Sequence, residues 1–114
     1  NSMLASSVHC FYYSCVQLMI HILISVFHMT EESIEAEFIR ARRGFHNWLI
    51  NKIYADYERK NFRNARNFLR KIHNLKHVRI QADYKLIEID ASTSNDVKSI
   101  SECIINMLKG DYLQ

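Results

Sequence analysis

The segment "FRNARNFLRKIHNLKHVRIQA", residues 62–82, decides the fold class of this chain. Its apolar side chains recur every three or four positions, the spacing that puts them on one side of an α-helix. They are Phe62, Ala65, Phe68, Leu69, Ile72 and Leu75. A helix with one such stripe buries it against other helices, so the segment predicts a core helix of a helical protein.

The rest of the chain has the composition of a helical protein. It holds 114 residues, 48% of them hydrophobic, with no proline and two glycines. This length suits one core, and so few breakers favour helices over a sheet with regular turns. We therefore expect a single domain, residues 1–114, with an all-α fold: an up-and-down antiparallel bundle of four long helices plus one short helix.

Capping signals predict where the helices begin and end. Thr30 can cap the short helix, and Gly44 can take the left-handed conformation that ends it. Ser94 or a neighbour can cap the last helix, and Gly110 can close it. The predicted helices are about Leu4 to His28, Thr30 to Arg42, Phe45 through Tyr57, Asn61 to Ala82, and Ser94 to Gly110.

The first helix contains no Asp, Glu, Lys or Arg, so it must be tested as a membrane span. A polar seam along one side argues against that interpretation and predicts a core helix covered by neighbours, with no membrane contact. The seam consists of Ser7, Cys10, Ser14, Gln17, His21 and His28.

The three cysteines, Cys10, Cys15 and Cys103, form no C-x-x-C pair, which predicts small core residues in a reducing, cytoplasmic compartment.

The excess positive charge is concentrated in one segment. Residues 61–79 hold six Arg and Lys and no acid, whereas the whole chain has a net charge of +3. On a helix, steps of three and four place several of these bases and two histidines on one side. They are Arg63, Arg66, Arg70, His73 and His77, with Lys71 beside them. Such a row is typical of a solvated helix face, and it can also bind a phosphate backbone.

Arg79 falls outside that row. Continuing the apolar stripe by seven residues from Ile72 reaches Arg79, so we expect its guanidinium to point toward the bundle or a partner subunit. A charge there needs an anionic partner. Asp83, one turn later, is the nearest candidate, and the polar seam of the first helix could face Arg79 as well. Both a structural ion pair and a phosphate-binding arginine fit this position.

Other chemistry has little support in the sequence. The chain has no Gly-rich phosphate loop, no H-E-x-x-H, no paired-cysteine zinc site and no G-x-S-x-G. His9, His21 and His28 are interpreted as core or seam residues of the first helix. No metal or cofactor is predicted.

Three stretches carry a family resemblance. They are "SSVHCFYYSCVQLMIHIL" (6–23), "GFHNWLINKIYADY" (44–57) and "LKHVRIQADY" (75–84), followed by an amphipathic last helix. Together they resemble the HEPN (higher eukaryote and prokaryote nucleotide-binding) domain over residues 5–109, with "YYS" and R-x-x-A-D-Y as the most telling elements.

The resemblance implies a homodimeric, prokaryotic helical bundle that binds RNA or a nucleotide phosphate. Such domains occur in toxin–antitoxin modules, in phage defence and beside nucleotidyltransferases, so an antitoxin or nucleotidyltransferase is the implied partner protein. Many members cleave RNA without metal, using R-x(4-6)-H. Arg79 matches the arginine, but Tyr84 stands where the histidine is expected, which predicts binding without cleavage.

Two alternatives remain open. One is a helical dimerisation or interaction module without a ligand, in which the charge-free first helix packs against its copy. Arg79, with Asp83 and Tyr84 as its structural partners, then anchors that interface. The other is a metal-independent endoribonuclease with a displaced histidine. The pairs that satisfy the bare spacing are Arg40/His46, Arg66/His73 and Arg70/His77.

Overall fold

The apolar stripe of residues 62–82 is buried in the structure, a computed structural model that describes residues 2–114, with side chains from Met3 onward. Ala65, Phe68, Ile72 and Leu75 are all 0% exposed, whereas Phe62, at the start of the helix, is 58% exposed. The described chain forms five helices: α1 (Ser2–Ser25), α2 (Glu31–Ala41), α3 (Phe45–Lys60), α4 (Phe62–Asp83) and α5 (Ala91–Tyr112).

Contacts at one end of the bundle show how the helices run. Phe27, just after α1, and Tyr57, near the end of α3, both pack against Tyr112 at the end of α5, with ring centroids 5.9 and 5.2 Å away. Asn64, at the start of α4, bonds Asp111 of α5 at 2.8 Å. Helices α1, α3 and α5 therefore run in one direction and α4 in the other. The predicted all-α, up-and-down bundle is confirmed.

We call the end that holds Tyr112 the lower end, and the opposite end the upper end. At the lower end two Asp-Tyr dipeptides exchange hydrogen bonds between α3 and α5. The Tyr57 hydroxyl donates to Asp111, and the Tyr112 hydroxyl donates to Asp56 at 2.7 Å. Burial first, and then these bonds to carboxylates, raise the pKa of both tyrosines. This reciprocal pair fixes the end of α5 against α3.

Helix α1 is a core helix on one side and solvated on the other. Residues such as Val8, Tyr12 and Met19 are 0% exposed, whereas the polar seam is largely exposed and does not face Arg79. The segment Met3–Ser25 is long and apolar enough to cross a membrane by length and composition, a test that core helices of soluble proteins also pass. The compact packing of α1 against α3, α4 and α5 fits the second interpretation.

Several predicted caps and core positions are wrong. The left-handed residue after α2 is Arg42 (φ 54°), while Gly44 has φ −59° and precedes α3. Helix α5 begins at Ala91 because the Asp90 carboxylate accepts from the Thr93 amide at 2.7 Å. Ser94 and Gly110 lie inside that helix, and α1 ends at Ser25.

Of the three cysteines only Cys15 is buried, so the predicted core positions of Cys10 and Cys103 are wrong. Cys10 and Cys103 are exposed because they lie on the outer sides of α1 and α5.

Candidate nucleic-acid interface

Three arginines and two histidines of α4 lie together on one solvent-facing side of the helix, which we call the basic face together with the neighbouring Lys71. Steps of three and four residues bring them into line, because they match the turn of an α-helix. The row consists of Arg63, Arg66, Arg70, His73 and His77, all of them exposed. Lys71 lies beside the row, about 100° around the helix from Arg70, and is half-buried.

The cations of the basic face are not neutralised by carboxylates. Across residues 3–114, the Arg and Lys side chains in ion pairs are Lys52, Arg59 and Arg79, and none of these belongs to the basic face. Arg66 instead lies over the Phe62 ring, 5.7 Å from its centroid, and Arg70 donates to the Asn67 side chain at 3.2 Å. These positive charges are therefore available to an external anion.

A cleft of about 500 Å³ adjoins the basic face between α3 and α4. We call it the α3–α4 cleft. Burial, and then the charge of Lys76, lower the pKa of His73, so its ring is neutral near pH 7. A hydrogen bond to Glu58, the largest cause, raises the pKa of Tyr54. The cleft is lined by Tyr54, Arg66, Asn67, Leu69, Arg70 and His73.

Arg79 points inward at the upper end of the bundle, as predicted. Its side chain is 18% exposed, and Nη1 lies 3.1 Å from the Asp83 carboxylate, so the predicted ion pair is formed. The guanidinium carbon lies 5.0 Å from the centroid of the Tyr12 ring and 6.0 Å from that of Tyr13. Its Nε is buried without a hydrogen-bond partner. The guanidinium of Arg79, a residue of α4, thus packs over two aromatic rings of α1.

Tyr84 does not take the predicted place beside Arg79. Its side chain is 74% exposed and follows the last residue of α4. Five residues correspond to about 500° around a helix, which turns Tyr84 about 140° away from Arg79. The ring that covers the guanidinium is instead that of Tyr12, from another helix.

Two histidines complete the surroundings of Arg79 and were not singled out from the sequence as its neighbours. The Tyr12 hydroxyl and His46 Nδ1 are joined by a hydrogen bond of 2.9 Å. His9 stacks on Tyr13 with ring centroids 4.4 Å apart, and its Nδ1 lies 3.6 Å from Asp83. We call this group the Arg79 cluster; it consists of His9, Tyr12, Tyr13, His46, Arg79 and Asp83. A four-residue spacing relates His9 to Tyr13, but no local signal relates His46 to α1 or α4.

Electrostatics keep the hydrogen bond between Tyr12 and His46 in its neutral form. Burial first, and then the charges of Arg79 and Lys76, lower the pKa of His46. Burial raises the pKa of Tyr12 to about 12. A neutral imidazole with its proton on Nε2 accepts at Nδ1 from the tyrosine hydroxyl. His46 Nδ1 is therefore bonded within the protein, as is Arg79 Nη1, which pairs with Asp83.

A large groove lies beside the Arg79 cluster, at the upper end. It measures about 900 Å³ and runs between the start of α1, the end of α4 and the loop that follows α4. Leu86, 69% exposed, and Ile87, 37% exposed, line it together with Asp83. Apolar side chains exposed beside a groove are typical of a surface that contacts another molecule.

Comparison with protein-family models, with curated proteins and with solved structures gave no match to this chain. Within residues 2–114, no group of three or more His, Cys, Asp and Glu side chains is arranged to hold a metal ion. The assignment of a role to the basic face therefore rests on its own geometry and charge.

Proposed function

We propose that this chain is a HEPN-like helical domain that binds RNA or a nucleotide phosphate through the basic face without cleaving it. The observation that supports the proposal is the alignment of three Arg side chains with two histidines on one side of α4, with Lys71 beside them and no ion-pair partner for any of these four bases. One arginine can donate two parallel hydrogen bonds to the oxygens of a phosphate, and a row of arginines can contact successive phosphates of a backbone.

In this proposal Arg79 positions α4 and is not the main phosphate ligand. Its guanidinium is paired with Asp83 and covered by Tyr12, so a phosphate could reach only its exposed edge. Tyr84 replaces the histidine of the R-x(4-6)-H pattern. The absence of that base at the expected position supports binding without cleavage.

The resemblance to HEPN domains also supplies the proposed context. We propose a cytoplasmic homodimer that works in a prokaryotic toxin–antitoxin, defence or nucleotidyltransferase-associated system. The exposed thiols of Cys10 and Cys103 fit a reducing compartment. An antitoxin or a nucleotidyltransferase is the proposed partner protein.

The test compares two double variants that remove the same charge. Arg66→Ala/Arg70→Ala removes two bases from the basic face, whereas Arg40→Ala/Arg43→Ala removes two exposed bases from the region of α2. We expect the affinity for a short RNA to fall roughly tenfold or more in the first variant and little in the second. Equal losses in both would mean binding typical of any cationic protein and would overturn the proposal.

A second candidate is an interaction module that binds a partner protein and no RNA. The groove beside the Arg79 cluster favours it, because exposed Leu86 and Ile87 line a volume of about 900 Å³. In that case Leu86→Ser/Ile87→Ser abolishes self-association or partner binding, while the basic-face variant has no effect. Metal-independent cleavage of RNA that disappears in His73→Ala or His77→Ala would instead identify an endoribonuclease.

A further inference from the structure

The α3–α4 cleft adds a feature that phosphate binding alone does not need. A flat row of cations suffices to hold a phosphate backbone, and such a row binds single and double strands alike. Here the row borders a recess of about 500 Å³. Sites for small organic molecules measure about 300 to 1,000 Å³, so the recess is large enough for a nucleoside.

The inner surfaces of the cleft suit a flat, partly apolar group. Leu69 is half-buried and supplies aliphatic surface, and Tyr54 is half-buried and supplies an aromatic ring. The hydrogen bond from Tyr54 to Glu58 engages its hydroxyl and leaves the ring for stacking. His73, with its pKa lowered, adds a second, neutral ring. Nucleobases stack on aromatic faces of this kind in proteins that bind single strands.

The rim of the cleft supplies the polar groups that a nucleotide needs. Arg66 and Arg70 are four residues apart on α4 and both line the cleft. Arg70 donates to Asn67 Oδ1 at 3.2 Å, which holds the guanidinium and leaves the Asn67 amide Nδ2 free to donate to a base carbonyl. A phosphate on the two arginines would lie next to a base in the recess.

We infer that the α3–α4 cleft receives the base of one unpaired nucleotide, so that the basic face selects single-stranded over double-stranded RNA. This inference rests on the proposed function and adds the strand state of its ligand. In a duplex each base is stacked on its neighbours and paired along its edge, and its faces are not accessible. The cleft therefore contributes to binding only when the base is unpaired.

The experiment measures the affinity of the whole chain for an RNA of about twelve nucleotides, alone and annealed to its complement, at one salt concentration. We expect the single strand to bind at least about fivefold more tightly. Tyr54→Leu removes the ring and should abolish that preference, and Tyr54→Phe, which keeps the ring, should retain it. Tyr84→Leu removes an exposed tyrosine outside the cleft and serves as the matched control.

The outcomes separate the inference from the proposed function. Equal affinity for the single-stranded and the double-stranded RNA overturns the inference, and so does an unchanged preference for the single strand in Tyr54→Leu. Either result leaves backbone binding by Arg66 and Arg70 in place. If the unmodified protein binds neither form of the RNA, both the inference and the proposed function are overturned. If Tyr54→Leu does not fold, His73→Ala, at an exposed position, provides the same test. A free mononucleotide that competes as well as the RNA would show a nucleotide site instead of a strand site and would also overturn the inference.

Discussion

The guanidinium carbon of Arg79 lies 5.0 Å from the centroid of the Tyr12 ring, so a charged group of α4 packs on an aromatic group of α1. The negative face of the ring attracts the cation, and Asp83 supplies an ion pair at 3.1 Å. Together they explain how a charge is tolerated on the apolar stripe of α4. The same contact joins two helices that run in opposite directions.

Removing Arg79 should destabilise the protein more than removing Asp83. Arg79→Ala loses the contact with Tyr12, the packing of the side-chain stem and the ion pair, which we expect to lower the free energy of unfolding by about 2 kcal/mol. Asp83→Ala loses a partner whose side chain is 35% exposed, and solvent screening limits that cost to about 1 kcal/mol or less. Urea denaturation measures both.

The matched control for Asp83→Ala is Asp96→Ala, which removes an exposed carboxylate from α5. We expect Asp96→Ala to change the free energy of unfolding little. A cost for Asp83→Ala equal to that of Arg79→Ala would show that the ion pair, and not the ring contact, carries the stability.

The hydrogen bond between Tyr12 and His46 should make stability fall in mild acid. The pKa of His46 is lowered in the folded state, so between that value and the ordinary value of 6.5 the unfolded chain binds more protons. The stabilisation is therefore fully present above about pH 6.5 and is lost as the pH falls below that value through the lowered pKa of the folded state. Denaturation at a series of pH values measures how the free energy of unfolding falls in acid, and His46→Gln should make that fall smaller. His21→Gln, at an exposed histidine of α1, should leave it unchanged.

The reciprocal Asp-Tyr bonds at the lower end should contribute measurably to stability. Tyr57→Phe removes a hydroxyl that donates to Asp111, and we expect a cost of about 1.5 to 3 kcal/mol because the acceptor is charged. Tyr112→Phe removes the equivalent bond to Asp56. Tyr84→Phe, at a tyrosine that is 74% exposed, should change the free energy of unfolding by less than about 0.5 kcal/mol.

The buried tyrosines should also set an alkaline limit. Tyr12, Tyr57 and Tyr112 all have raised pKa values, so each stays protonated in the folded state above its ordinary value of 10. The stability that they contribute is present below about pH 10 and is lost as the pH rises further. Absorbance of tyrosinate and circular dichroism should therefore show that these three tyrosines ionise only together with unfolding. Ionisation of Tyr12, Tyr57 and Tyr112 near pH 10 with the helices intact would contradict this.

What could be predicted from the sequence depended on local periodicity. The stripe that ends at Leu75 and the pair Arg79/Asp83 follow from the 3.6-residue turn, so both were predictable. His46 meets Tyr12 only through tertiary packing, and nothing within a few residues of either indicates it. The capping error at Gly44 has another cause: Arg42 occupies the left-handed conformation although glycine adopts it at lower cost.

The salt dependence of RNA binding tests the central claim, that the uncompensated basic face of α4 binds a phosphate backbone, most directly. Each phosphate contact to a single strand contributes about 0.7 to the slope of log affinity against log salt concentration. The account predicts a steep slope for the unmodified protein, a slope shallower by about 1.4 for Arg66→Ala/Arg70→Ala, and an unchanged slope for Arg40→Ala/Arg43→Ala. The same slope in all three proteins would contradict it.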